Sequence, residues 1–250
     1  MTKNKALIYK IFNYASLVAL FAMVLASIII LLNQGADTII MLSYFTIQSN
    51  ILVALLAVFY IVANIIKDVK KQDITTKLPF LIILIIILNI TLTGIIYLTI
   101  LLPVDLQDGT LTMGASPVAN ILLHAVVPVL AITYFLIFAD KTPVKLRHAY
   151  VFVIYPIIYW CFTMLRSLSG VKFMGTSLYP YFFLDPEYNN QGFGMVLLYV
   201  VGLVAVFYGA GLLLTMLSNF VHKKKLAKLN ESTSKTPKEP PINKTEAQQN

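Results

Sequence analysis

His124 is the residue of this chain whose type and position most directly suggest chemistry. It is the only histidine inside a hydrophobic span, in the segment Asn120-Ile-Leu-Leu-His-Ala-Val-Val-Pro128. An ionisable side chain in hydrocarbon is costly, and such residues usually face a bundle interior or a water-filled cavity. Pro128 lacks the N–H that would bond the His124 carbonyl in a helix, which leaves a second polar group beside the ring. The pattern therefore predicts a functional site around His124.

A hydroxyl group on a neighbouring helix would allow His124 to take part in catalysis. A histidine that is hydrogen-bonded to a hydroxyl can act as general base and make the hydroxyl a nucleophile toward an acyl group. Counted from the same side of the membrane, Thr46 lies about 13 Å along its predicted helix and His124 roughly 10 Å along its own. Ser49 is the alternative alcohol on the helix of Thr46. The spacing therefore predicts a dyad of Thr46 or Ser49 with His124.

Supporting groups for acyl chemistry are also present. Asn50, Asn120 or Arg166 could donate hydrogen bonds to a developing oxyanion. The hydrophobic spans contain no Asp or Glu, so a carboxylate could orient His124 only from a loop. The candidate loop carboxylates are Asp105, Asp108 and Asp185. A dyad without a carboxylate is the simpler interpretation.

Polar side chains recur at helical spacing on four of the predicted spans, and such one-sided stripes meet inside a bundle. The stripes are Ser43, Thr46 and Asn50; Asn89, Thr93 and Tyr97; Asn120 and His124; and Tyr155, Tyr159, Thr163 and Arg166. They predict a polar pocket in the outer leaflet, with Asp185 near its mouth. The alternative for each residue is structural, because such groups also form interhelical hydrogen bonds, aromatic belts or lipid anchors.

The composition defines the elements that must position these residues. Of 250 residues, 58% are hydrophobic and 12% charged, and the mean hydropathy is +0.80. These values predict an integral membrane protein, all-α, with six transmembrane helices packed as a bundle. The predicted spans are approximately 11–33, 38–66, 79–102, 117–139, 149–166 and 192–220.

The positive charges predict the orientation of the bundle. All but two of the 19 Lys and Arg residues lie at the termini or in the loops 67–77 and 140–148. The exceptions are Arg166 and Lys172, in an alternate loop. The positive-inside rule then places both termini in the cytoplasm and makes the chain a multi-pass protein of the cell membrane. The net charge of +8 indicates contact with anionic lipid headgroups and not with nucleic acid.

The remaining features predict no cofactor. Residues 1–222 form the expected transmembrane domain, and the basic, polar tail 223–250 is expected to be disordered because it has little to bury. The single cysteine cannot form an intrachain disulfide, and no metal-binding or nucleotide-binding motif occurs. One intramembrane histidine cannot supply the two axial ligands of a bis-histidine haem. The oligomeric state is left open.

Four sequence blocks together resemble a known family. They are Ser43-Tyr-Phe-Thr-Ile-Gln-Ser-Asn50, Leu122-Leu-His-Ala-Val-Val-Pro128, Tyr155-Pro-Ile-Ile-Tyr159 and Tyr179-Pro-Tyr-Phe-Phe-Leu-Asp185. In order and spacing they are similar to the bacterial predicted six-transmembrane family, which is related to the androgen-induced and androgen-dependent integral-membrane threonine hydrolases. Two departures are Ser167, where that family often has glycine, and the segment 131–134, where it often has an acidic residue.

The resemblance implies a threonine hydrolase of lipid esters, which in the eukaryotic relatives are fatty acid esters of hydroxy fatty acids. It implies Thr46 as the nucleophile and His124 as its partner. We therefore expect an integral-membrane hydrolase of lipid acyl esters that acts on a membrane-resident substrate. The alternative is a non-catalytic protein that binds or transports lipid in the same pocket. No inverted repeat with interrupted helices supports transport.

Overall fold

The computed structural model describes residues 3–108, 116–173 and 177–234, which form an all-helical bundle. Six helical segments are long and apolar enough to cross a membrane, which confirms the predicted number of spans within the described part of the chain. These segments are Lys3–Asn33, Phe45–Lys70, Phe80–Val104, Pro117–Phe138, Leu146–Ser167 and Gly192–Lys228.

The described residues contain nine α-helices, of which all but α2 contribute to these spans, and three of the spans contain helical turns of another type. The α-helices are α1 (Lys3–Asn33), α2 (Thr38–Leu42), α3 (Phe45–Lys70), α4 (Phe80–Ile96), α5 (Leu102–Asp108), α6 (Pro117–Ile121), α7 (Val127–Phe138), α8 (Ile154–Ser167) and α9 (Gly192–Ser234). A π-helical turn, Tyr97–Leu101, joins α4 to α5, and a second, Leu122–Val126, joins α6 to α7. A 3₁₀ segment, Leu146–Val153, leads into α8.

Helix α4 is the centre of the bundle. Its sequence carries no charged residue and is apolar apart from Asn89, Thr91 and Thr93, which is typical of a helix enclosed by others. In the apolar part of this span 61% of the residues are buried, against 17% in the span formed by α9. Helix α4 packs against α3, α7 and α9. The site residues of α4 therefore lie among other helices, whereas α9 presents most of its surface outward.

The second predicted span is not one continuous helix. Asp37 caps α2 by accepting hydrogen bonds from the N–H groups of Ile39 and Ile40, both at 2.9 Å. The helix ends at Leu42, and Tyr44 is extended (φ −79°, ψ 133°) before α3 begins. The predicted stripe of Ser43, Thr46 and Asn50 is therefore wrong for Ser43, whose hydroxyl donates to the Ile39 carbonyl at 2.7 Å.

The segments rich in Lys and Arg meet at one end of the bundle. Lys10 pairs with Asp68, and Lys225 pairs with Asp140, each at 2.8 Å. The start of α1 and the ends of α3, α7 and α9 therefore lie at the same end of the bundle. We call this end, which contains Lys10, Asp68, Asp140 and Lys225, the basic end. Spans that alternate in direction place these segments at one end of the bundle, as observed. Which side of a membrane this end faces remains a prediction.

Helix α9 is longer than expected. Residues 223–234 continue it as far as Ser234, so the prediction of disorder from residue 223 is wrong for this part. Lys, Leu and Ala dominate the first turns of the segment, and adding good helix formers to an existing helix costs little. Lys225 is also held by Asp140, and the Lys224 ammonium lies 4.5 Å from the centre of the Phe220 ring. Residues 235–250 lie outside the described residues.

Asn219 on α9 holds the loop after α7 at the basic end. Its amide accepts a hydrogen bond from the Val144 N–H at 2.9 Å and donates one to the Val144 carbonyl at 2.8 Å. One turn further along α9, His222 Nδ1 donates to the Lys141 carbonyl. The loop is thus fixed to α9 by side chains on one helical face.

Replacing Asn219 should destabilise the bundle. Asn219→Leu removes two hydrogen bonds and leaves both polar groups of Val144 without these partners, which should lower the free energy of unfolding by about 2 kcal/mol. Thermal unfolding in detergent checks this, with Asn33→Leu at the exposed end of α1 as the control. Equal melting temperatures for the two variants would contradict the role given to Asn219.

Candidate active site

Thr46 and His124 are in direct contact. Thr46 Oγ1 lies 3.0 Å from His124 Nε2, although 78 residues separate the two in the chain. The side chains are 3% and 1% exposed, so the contact is enclosed by protein. The pairing predicted from matching depths is therefore present, and Thr46, not Ser49, is the alcohol that reaches the imidazole.

The second ring nitrogen of His124 determines which tautomer is present. Nδ1 lies 3.0 Å from the backbone carbonyl oxygen of Asn120. A carbonyl oxygen only accepts hydrogen bonds, so Nδ1 carries the proton and a neutral ring has its lone pair on Nε2. Nε2 then accepts the hydroxyl hydrogen of Thr46. This is the arrangement that a general base needs.

The backbone around His124 is a π-helical turn. His124 is the central residue of Leu122–Val126, and the N–H of Val127 donates to the Leu122 carbonyl, five residues back. Pro128 follows and supplies no N–H, so the His124 carbonyl has no partner four residues ahead. On the facing helix, a Cβ at Gly94 would lie 3.0 Å from this carbonyl oxygen and 3.2 Å from Pro128 Cβ. Glycine therefore permits the close approach of α4 to the histidine turn.

Thr46 lies in the first turn of α3, because the helix begins at Phe45. The N–H groups of a first turn have no acceptor within the helix. Here the N–H of Phe45 donates to the Tyr159 hydroxyl at 3.1 Å, and that of Thr46 donates to the Tyr181 hydroxyl at 3.4 Å. The Tyr159 hydroxyl donates in turn to the Ser43 carbonyl at 2.9 Å. Two tyrosines from other segments thus cap the helix that carries Thr46.

The start of α3 is also favourable for negative charge. The N-terminal end of a helix carries a partial positive charge. The Tyr181 hydroxyl lies 3.5 Å from Thr46 Oγ1, so a phenolic O–H and the positive end of the α3 dipole both lie beside the Thr46 hydroxyl. Tyr181 was not among the predicted site residues. The block 179–185 pointed to its segment, but nothing in the sequence distinguishes Tyr181 from Tyr179.

A cleft beside Thr46 contains about 630 Å³ of empty space, part of which is open to the surroundings. Its walls come from α3, α4, α8, α9 and the loop before α9. The lining residues are Phe45, Thr46, Thr93, Ile96, Leu101, Pro156, Tyr159, Trp160, Tyr181, Phe183, Leu184, Val200, Leu203, Val204 and Phe207. The predicted polar pocket is thus a mainly apolar cleft that Thr46 reaches. Of the predicted lining residues, Thr93 and Tyr159 are present, and Asn89, Tyr97, Tyr155 and Asp185 are not.

Ser49 and Asn50 support the backbone and not the chemistry. The Ser49 hydroxyl lies 3.0 Å from the Thr46 carbonyl and 2.9 Å from Thr93 Oγ1, which also donates to the Asn89 carbonyl at 2.9 Å. Asn50 Nδ2 donates to the carbonyls of Thr46 and Leu123 at 2.8 and 3.1 Å. Both of its N–H groups are therefore used, and the prediction that Asn50 donates to an oxyanion is wrong.

Asn120 and Tyr97 lie on the other side of the imidazole. Asn120 Nδ2 donates to the Tyr97 hydroxyl at 2.7 Å, while the backbone carbonyl of Asn120 accepts a hydrogen bond from His124 Nδ1–H. The Tyr97 ring stacks on His124 with ring centres 3.8 Å apart and planes 21° apart. Asn120 therefore orients the histidine, and Tyr97 covers one face of it. Tyr155 lies further away and donates to Gln48 Oε1 at 2.8 Å.

Arg166 and Asp185 organise the segment before α9. Arg166 Nη1 donates to the carbonyls of Val171 and Leu178 at 2.7 and 3.3 Å. Asp185 accepts from the Ser177 hydroxyl at 2.6 Å and from the N–H of Glu187 at 2.9 Å. Arg166 Nη1 thus holds this segment, while Nε and Nη2 have no hydrogen-bond partner among the described residues, and the oxyanion role of Arg166 stays a prediction. The described contacts of Asp185 do not include His124. The side chains of Asp105 and Asp108 lie outside the described residues.

No group of three or more His, Cys, Asp or Glu side chains that could hold a metal ion occurs within the described ranges. Comparison of the chain with protein-family models, with curated proteins and with solved structures found no match. By its fold, the described part of the chain is all-helical, with six helices able to span a membrane. The resemblance to the threonine hydrolases remains an expectation carried by the four sequence blocks.

Proposed function

We propose that this chain is an integral-membrane hydrolase of lipid acyl esters, with Thr46 as the nucleophile and His124 as the general base. The observation that carries the proposal is the 3.0 Å contact between Thr46 Oγ1 and His124 Nε2. The Nδ1 contact to the Asn120 carbonyl supports it, because it leaves the Nε2 lone pair available for the Thr46 proton. The family resemblance assigns the same two roles.

The proposed reaction has two halves. Thr46 Oγ1 attacks the ester carbonyl carbon as its proton passes to His124 Nε2, and collapse of the tetrahedral intermediate breaks the bond to the leaving alcohol oxygen. That oxygen takes the proton from Nε2, and an acyl-threonine remains. Water then attacks the acyl carbon and gives a proton to Nε2, and the second collapse releases the free acid and returns the proton to Thr46. The Tyr181 hydroxyl, 3.5 Å from Thr46 Oγ1, and the positive end of the α3 dipole would stabilise the oxyanions of the two tetrahedral intermediates.

The cleft favours a substrate that is already dissolved in the bilayer. Its lining is aliphatic and aromatic except near Thr46 and the tyrosine hydroxyls, which suits an acyl chain with its ester at the polar end. If the basic end faces the cytoplasm, as the charges predict, Thr46 lies in the outer leaflet of the cell membrane. The basic end would then contact anionic lipid headgroups.

A fluorophosphonate probe tests the reacting pair. Purified wild-type protein in detergent should be labelled at Thr46, whereas Thr46→Val and His124→Gln should lose the label, because the first lacks the nucleophile and the second its base. Thr215→Val is the matched control: Thr215 is 1% exposed, and its hydroxyl donates to the Gly211 carbonyl of its own helix. His222→Gln serves the same purpose for histidine.

The outcomes separate the two candidate functions. Labelling that is lost in both site variants and kept in both controls supports the hydrolase. Labelling that persists in Thr46→Val and His124→Gln overturns the dyad. A wild-type protein that copurifies with lipid but shows neither labelling nor turnover of a lipid-ester panel would favour the non-catalytic lipid-binding alternative.

A further inference from the structure

Tyr97 is in close contact with His124 but has no part in the reaction proposed above. The two rings are almost parallel, with their centres 3.8 Å apart and an angle of 21° between their planes. Tyr97 is 6% exposed, so the stacked faces are enclosed by protein. A ring in this position interacts with the imidazole of His124 both when it is neutral and when it is a cation.

The reaction gives His124 a charge that its surroundings must stabilise. When Nε2 takes the Thr46 proton, the ring becomes a cation inside the bundle, and an unpaired charge in such a place is costly. Among the described side chains, no carboxylate contacts either ring nitrogen: Nε2 faces Thr46, and Nδ1 faces the Asn120 carbonyl. Among the described residues, the groups in contact with the ring that could stabilise this charge are therefore uncharged.

We propose that Tyr97 is a positioning residue that orients His124 and stabilises its cationic form through the face of the phenol ring. The inference rests on the proposed function. A cation within about 6 Å of an aromatic ring centre and above its face is attracted by the negative π surface, and the attraction is largest where water is excluded. The Tyr97 ring would thus stabilise the imidazolium, as the carboxylate does in a Ser-His-Asp triad.

The backbone is arranged to bring these two rings together. Tyr97 begins one π-helical turn, Tyr97–Leu101, and His124 is central in the other, Leu122–Val126. Such turns are rare in proteins and often occur at functional sites. Here the two π-helical turns lie on different spans, and each carries one ring of the stacked pair. Both irregular turns therefore contribute to the contact between Tyr97 and His124.

Asn120 fixes both members of the stack. Its backbone carbonyl accepts a hydrogen bond from His124 Nδ1–H at an N–O distance of 3.0 Å, and its side-chain amide donates to the Tyr97 hydroxyl at 2.7 Å. One residue thus sets the rotation of the imidazole and the position of the phenol. The hydroxyl of Tyr97 serves this positioning, whereas the ring face serves the charge, and substitutions can separate the two contributions.

The test compares Tyr97→Leu, which removes the ring face, with Tyr97→Phe, which keeps the face and loses the hydroxyl. Tyr134→Leu is the control, because Tyr134 is another buried tyrosine and stacks on Phe138 away from the site. Tyr97→Leu should lower kcat for a lipid ester and the rate of fluorophosphonate labelling by about tenfold to thirtyfold, the rate equivalent of a desolvated cation–π contact. KM should stay within about twofold, since the ring is not in the cleft.

Tyr97→Phe should retain kcat within about threefold of the wild type, and Tyr134→Leu within about twofold. A Tyr97→Leu enzyme with wild-type kcat overturns the inference. Equal losses in Tyr97→Phe and Tyr97→Leu also overturn it, because they would assign the effect to the hydroxyl bond with Asn120.

Histidine NMR provides a measurement that does not depend on turnover. In protein labelled with ¹³C at histidine Cε1, the resonance that disappears in His124→Gln belongs to His124. It should show an upfield ring-current shift that Tyr97→Phe keeps and Tyr97→Leu loses. A wild-type resonance without this shift overturns the stack and hence the inference. A wild type with the shift but without labelling or turnover would instead refute the proposed function, and with it the charge-stabilising role of Tyr97.

Discussion

Combining Thr46→Val with His124→Gln should cost no more activity than either substitution alone. Each single variant should lose about 10⁴-fold in kcat for a lipid ester, because the nucleophile and its base act as one unit. Once one partner is gone, the other has nothing left to activate. Steady-state and single-turnover rates of the three variants, measured in the same detergent, check this expectation.

Thr46→Ser is the matched variant for this series. It keeps the hydroxyl that Thr46→Val removes, so it should retain at least about 10²-fold more activity than the valine variant. Losses that multiply in the double variant would show two independent contributions and would contradict a dyad. Losses below about tenfold in both single variants would mean that the 3.0 Å contact serves packing alone.

Enlarging Gly94 should damage the site without touching either reacting side chain. A Cβ at this position would lie 3.0 Å from the His124 carbonyl oxygen and 3.2 Å from Pro128 Cβ, so α4 must move away from the histidine turn. Overpacking of this kind costs about 1–3 kcal/mol in stability. We expect kcat to fall about tenfold in Gly94→Ala and about 10²-fold in Gly94→Val, since small displacements of a catalytic group have effects of that size.

Gly202→Ala is the control for helix propensity, because nothing lies within 4 Å of a Cβ at that position on α9. It should leave activity unchanged and should not lower the melting temperature. Activity is compared well below the melting temperature of each variant. A Gly94→Val variant with wild-type kcat would show that the approach of α4 to His124 is not needed for function.

The number of spans and the central pair were accessible from the sequence, because charges mark the ends of each hydrophobic segment and depth follows from the rise of a helix. Pro128 also indicated that the His124 carbonyl would lack its partner in the helix. The π-helical turn at Tyr97 was not predicted, although Pro103 follows it at the same spacing as Pro128 follows the turn at His124. The break before α3 was hidden: Ser43 and Tyr44 are not strong helix breakers, and distant tyrosine hydroxyls satisfy the N–H groups that the break exposes.

Helical spacing alone did not predict the hydrogen-bond partners of several polar residues. Arg166 continues the stripe of Tyr155 and Tyr159, but α8 ends one residue later and the guanidinium binds carbonyls of the following segment. Asn50 lies on the correct face of α3, yet two backbone carbonyls occupy its amide. Spacing places a side chain on a face of a helix and does not reveal which groups compete for its hydrogen bonds.

The tyrosine caps on α3 bear on the order in which the protein matures during synthesis. Both reacting side chains have been made once the ribosome has passed α7, but Tyr159 and Tyr181 come from α8 and from the segment before α9. A nascent chain that stops after α7 therefore contains the threonine and the histidine without the groups that finish the first turn of α3. We therefore expect the first turn of α3 to be completed only after α8 and the segment after it have been translated and docked.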